Sequence, residues 1–219
     1  MKAKFFISIC IVSLFAISCN KNKPDKFDYG QYENGKYTNS YFGLEIEVPA
    51  DWHVLSQEQN TNLMNNSEQT VAEDNRTLQQ AIETSKITTV ILLTALQYGL
   101  EVSDSVFNPN IMFLAENLDG TDKVKSPSDY LLMTRNALQQ DPMPKDFPFT
   151  SFQLKNIYGT NFAQMRIVNK TSDNQNYTQE YYVSLHKNFA LSFILTYNSE
   201  IQRIALERIL NTLKVNTHK

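Results

Sequence analysis

The sequence predicts a single α+β domain in which an antiparallel β-sheet lies between helices. Three observations carry that prediction. Leu44, Ile46 and Val48 alternate with Glu45 and Glu47, the two-residue period of a half-buried strand. Late in the chain, residues 161–169, 177–186 and 189–197 form three strand-like runs parted only by short polar turns, and turns that short join antiparallel neighbours. The stretch KITTVILLTALQY, residues 86–98, is apolar on both alternating faces, as expected of a central strand, so each side of its sheet needs a cover. Helix signals placed after the strands supply it.

Taken in order, the chain opens with Lys2 and Lys4, then residues 5–17 without a charge, then Ser18 and Cys19. A membrane-spanning helix needs about 20 apolar residues, so this run is too short for a permanent anchor and reads as a removable secretory signal over residues 1–18. In LFAISCNKNK the apolar run stops at Cys19, and the stretch resembles the lipobox of bacterial lipoproteins, where a diacylglycerol is joined to the cysteine sulfur and cleavage exposes that cysteine as the first residue. The resemblance implies lipid attachment at Cys19. Cys10 falls within the removed peptide, so no disulfide can form in the mature chain, and lipidation gives a lone thiol in an oxidising compartment a reason to exist. Removal of Lys2 and Lys4 leaves 18 basic against 23 acidic side chains, a formal charge of −5, and no basic patch of the kind that nucleic acid requires.

Residues 19–34 hold Pro24, Gly30 and several charges without apolar periodicity, and read as a flexible tether with a reach on the order of 20 Å. Within it, Phe27, Tyr29 and Tyr32 are free to dock on the domain or on the bilayer interface. The folded domain is expected over 35–215. It begins with a strand–turn–strand unit in which Gly43 takes a positive φ, closed by Pro49. Trp52, the only tryptophan, reads as a core anchor in preference to a ligand-stacking platform. Residues 57–85 lack glycine and proline and suit a solvent-facing helical region with a thin apolar stripe. After the apolar strand come a strand over 108–118, a helix in SPSDYLLMTRNALQQ with Leu131 and Leu138 inward, and a break at Pro142, Pro144 and Pro148. Ser199 and Gln202 form a capping-box pattern ahead of a last helix with Ile201, Ile204, Ala205 and Ile209 as its apolar face.

This order resembles the PsbP-like fold, through YTNSYFGLEIEVPADW near the start of the domain and NFALSFILTYNSEIQRIALERILNTLKV at its end. The resemblance implies an α/β/α arrangement. The family includes an extrinsic photosystem subunit, a nuclear protein that binds a small GTPase and many bacterial lipoproteins, so it implies a scaffold for binding and carries over no catalytic residue.

Chemistry is sparse. His53, His186 and His218 have no second ligand nearby in sequence, and NLDGTD, residues 117–122, lacks the alternating ligands of a calcium loop and reads as a turn. The glycines are scattered singly, without a phosphate loop or nucleophile elbow. Glu180, Tyr182, Ser184 and His186 share one face of a strand and are the best start for a catalytic constellation, but a half-exposed sheet face is the reading preferred for them. Asp104, Ser105 and Val106 resemble the O-glycosylation site of some Bacteroidota, with Ser105 as acceptor. The expectation is therefore a non-enzymatic lipoprotein of the bacterial envelope, at the outer membrane, without cofactor, metal or nucleic acid, and with a protein partner in the envelope. An envelope hydrolase with an unrecognised site, or a carrier of a small apolar ligand, are the competing readings.

Overall fold

The computed structural model describes residues 28–63, 89–103, 106–119, 121–139, 145–146, 152–171 and 174–215. Cys19, Ser105, Phe27, His218 and most of the 57–85 stretch lie outside them. The architecture is α+β and built on two antiparallel sheets. β1 (Gln31–Glu33), β2 (Lys36–Asn39) and β3 (Leu44–Glu47) follow one another and are joined by β12 (Lys214–Val215) in the order β1-β2-β3-β12. The larger sheet holds β4 (His53–Val54), β5 (Thr89–Leu96), β6 (Asn110–Asn117), β7 (Lys145–Asp146), β8 (Gln153–Ile157), β9 (Thr160–Lys170), β10 (Asn176–His186) and β11 (Phe189–Tyr197). Its order is β4-β5-β6-β11-β10-β9-β7, with β8 also on β9. Helix α1 starts at 57 and is described to 63; α2 is Pro127–Leu138 and α3 is Glu200–Leu210.

Local chemistry explains the element ends. Ser56 and Gln59 cap α1 reciprocally, each side chain accepting from the other's backbone N–H. Ser126 caps α2, with Pro127 in its first turn, where a missing N–H costs nothing. At α3 the Ser199 hydroxyl accepts from Gln202 N, and the Gln202 side chain returns to the N–H of Asn198. Lys187 and Asn188 turn β10 into β11 with φ 48° and 62°, the left-handed pair that a two-residue hairpin needs. Gly43 has φ 64°, as the turn after β2 requires.

The large sheet is covered on both faces. Toward α3 and the small sheet lies a cluster that includes Phe42, Ile46, Trp52, Phe113, Phe162, Tyr182, Phe193 and Leu206, in which Phe113 and Phe193 stack at 4.3 Å. Toward α2 lies a second cluster built on Met112, Leu131, Leu138, Met165, Ile167 and Val183. Trp52 is a core residue, as expected. The cover toward α3 is not helix alone: the small sheet shares it, an arrangement that a single-sheet reading does not anticipate.

Three further expectations are corrected. Every residue of β5 is buried, yet β5 stands second from the edge, because coverage of both faces buries a strand wherever it sits in the order. Strand β1 falls inside the segment read as tether. Asp28 accepts from the N–H groups of Gly30 and Ser40 and from the Ser40 hydroxyl, at 2.7–2.8 Å, and its own carbonyl accepts from Asn39 Nδ2. Tyr29 and Tyr32 pack on the core, so of the two docking choices they take the domain. Finally, α3 buries Leu206, Ile209 and Leu210, while Ile201 is 81% exposed and Ile204 39% exposed. Apolar side chains occupy more than half the circumference of this helix, so periodicity alone does not select the face. The observed roll places Arg203 and Glu207 over the polar part of the sheet.

Candidate functional site

The face of β10 singled out in the sequence does carry the most connected polar group of the described residues. Glu180 is fully buried on the side toward α3, and the register of the β9–β10 hairpin sets Arg166 directly opposite it. Arg166 donates to Glu180 Oε1 from Nε at 2.7 Å and from its terminal nitrogen. Tyr197, from the diagonal position on β11, donates to the same oxygen at 2.8 Å. Tyr182 donates to Oε2 at 2.7 Å, and Gln164 Nε2 lies 3.2 Å from Oε2 and 2.9 Å from the Tyr182 hydroxyl. Lys155, from β8, sits 5.1 Å from the centre of the Tyr182 ring and 3.3 Å from Glu207 of α3. Arg203 closes the roof, bridging Glu200 and Glu207 at 2.5 and 2.8 Å.

The electrostatics follow from those partners. Burial pushes the Glu180 carboxyl up, but the hydroxyls of Tyr182 and Tyr197 and the Arg166 guanidinium outweigh it and hold the acid below its usual range. Glu180 is thus an ionised carboxylate whose lone pairs are occupied. Burial raises the Tyr182 and Tyr197 hydroxyls, and the adjacent carboxylate raises them further. A proton acceptor held this way is a poor general base, since catalysis needs a group poised near working pH with a lone pair aimed at substrate.

The rest of the sequence constellation does not assemble. Six residues of strand, about 20 Å at 3.3 Å each, separate Glu180 from His186. His186 instead meets the Phe42 ring at 6.3 Å, and burial, followed by the charge of Lys187, lowers its pKa. Ser184 is buried between them. His53 lies on β4, its Nε2 buried without a hydrogen-bond partner among the described residues. No three histidine, cysteine, aspartate or glutamate side chains gather in metal-binding fashion among the described residues. Asn117 and Asp119 bond each other, and Asp119 accepts from Asn188 Nδ2, so the described part of NLDGTD is a turn. No helix among the described residues is long and apolar enough to cross a membrane.

Arg166, Gln164 and Tyr197 were not foreseen as partners of Glu180. One signal could have found two of them: polar residues of matching parity, Gln164 and Arg166, lie as far before the turn near residue 173 as Tyr182 and Glu180 lie after it.

No protein-family model matches the chain, and no curated protein sequence does. Solved structures similar to it include cyanobacterial PsbP from Synechocystis sp. PCC 6803, 10% identical, TM-score 0.48, the match taking in 82% of this chain and 91% of that one. A Bacteroides thetaiotaomicron protein is 15% identical over 80% of this chain and 46% of its own, with TM-score 0.37. LpqN, involved in cell envelope biogenesis of Mycobacterium tuberculosis, is 11% identical over 77% and 78%, with TM-score 0.38.

Proposed function

We propose that this protein is a lipid-anchored component of the bacterial envelope whose α+β domain binds a protein partner and performs no chemistry of its own. The observation that carries the reading is the break at Cys19, where a lysine-preceded apolar run ends on a cysteine and a charged segment begins. Two or three acyl chains hold a protein stably at a bilayer, where one does so only marginally. Support for a non-catalytic domain comes from Glu180: the acid best placed to act as a base is ionised, buried and bonded to Arg166, Tyr182, Tyr197 and Gln164. Such a group fixes the strands of the sheet in one arrangement, which is what a binding scaffold needs.

The test has two arms. Cells expressing the wild type should incorporate labelled palmitate into the protein, and Cys19→Ala should incorporate none; label in the variant would overturn the anchor. Crosslinking in native membranes followed by pull-down should then recover a defined envelope protein with the wild type. Recovery of none would overturn the binding half while leaving the anchor standing.

A further inference from the structure

The large sheet buries an acid on each face and treats the two in opposite ways. Glu180 has two phenols, an amide and a guanidinium. Glu116, on the face toward α2, is 6% exposed and has one partner among the described residues, the Tyr130 hydroxyl, which donates to its Oε2 at 2.7 Å. Tyr130 stands in the first turns of α2 and is itself buried. The register puts Thr89 of β5 and Ala190 of β11 on either side of Glu116, and the Thr89 hydroxyl is buried without bonding it. Around the pair lie Leu114, Leu118, Leu131 and Ile194. Facing it from β11 is Ser192, and from β10, behind Tyr130, the phenol of Tyr181. Among the described residues, the titratable groups around the pair are therefore Tyr130 itself and Tyr181, and no lysine, arginine or histidine of these residues is bonded to Glu116.

We propose that Glu116 and Tyr130 form a pH-sensitive latch, in which a neutral carboxyl pins the start of α2 to the sheet and loss of its proton loosens the helix. A neutral acid accepts the Tyr130 hydroxyl through one oxygen and tolerates an apolar surround. A carboxylate in the same place has, among the described residues, one uncharged donor to replace its whole hydration shell, and burying an ion on those terms is costly. Relaxation by lifting α2, which lets water in, is the available remedy. Burial raises the acid to about 7 from 4.5, against the opposing hydrogen bond of Tyr130. The sign is that of a raised acid: the docked helix keeps its full stability below pH 4.5 and loses it as pH climbs to about 7. The latch thus works between mildly acidic and neutral surroundings.

Hydrogen–deuterium exchange of the full-length protein, corrected for the intrinsic rate, tests this between pH 5 and pH 8. In the wild type, protection of α2 should fall at least about tenfold relative to β11, since one unit of pKa difference is a factor of ten. Glu116→Gln, which cannot ionise, should show no such fall. Constant protection of α2 in the wild type, or an equal fall in the variant, would overturn the latch. A carbon-13 titration of the Glu116 carboxyl in the wild type decides the matter even if the variant does not fold: a midpoint near 7 supports the proposal, and an ordinary midpoint near 4.5 sinks it.

Discussion

Glu180 is where the chemistry of single residues is most exposed to test. Its folded-state pKa is depressed, so its stabilisation is present above the ordinary value of 4.5 and is lost as pH falls through the lower folded value. Glu180→Gln should cost about 2–4 kcal/mol at pH 7, less than the full cost of breaking a buried pair because Arg166 is about a third exposed. The cost should shrink as pH falls from 4.5 through the lower folded value, where the wild-type acid also loses its charge; urea melts at pH 7 and at the most acidic pH the fold survives measure it, and a pH-independent cost would contradict an ionised Glu180. Trp52→Ala should cost about 3–5 kcal/mol, read by circular-dichroism melts, because Trp52 is 9% exposed within the core. That Trp52 is core was legible from its place beside a strand. That Glu180 is a structural ion was not, because its character is set by Arg166 and Tyr197, which reach it through sheet pairing and not through sequence proximity.

Helix α3 shows what periodicity can and cannot decide. Its capping residue and its extent follow from Ser199 and Gln202, but its buried face depends on a roll that the sheet's polar patch selects. Leu206→Ala should cost about 2–5 kcal/mol in a denaturant melt, whereas Ile201→Ser, at a position 81% exposed, should stay within about 0.5 kcal/mol. The reverse ranking would restore the face read from the isoleucines. Strand β3, with its alternation, and β9, β10 and β11, as strand-like runs between polar turns, were legible almost to their ends. β1, β4, β7 and β12 run two or three residues and exist because a neighbour's edge is available, so no local pattern marks them. β8 is polar, follows a proline-broken segment and is held by its hairpin with β9.

At the scale of the whole molecule, the order of elements and the α+β class were readable, and the division into two sheets was not, since it turns on where β12 returns to pair with β3. The start of the domain is a sharper case. A chain beginning at Asp28 keeps β1 and the bonds of Asp28 to Gly30 and Ser40; one beginning at Gly35 loses them. At about 1 kcal/mol for each lost bond and roughly 2–4 °C per kcal/mol, the shorter chain should melt on the order of 5–10 °C lower. Equal melting points would return residues 28–34 to the tether. The central claim is that this domain is carried on a lipidated Cys19, and the intact mass of protein extracted from native membranes tests it most directly. The account predicts a chain starting at Cys19 and heavier than the bare 19–219 peptide by a diacylglyceryl group with its acyl chains. An unmodified mass, whether of the chain from Cys19 or from any other first residue, would contradict it.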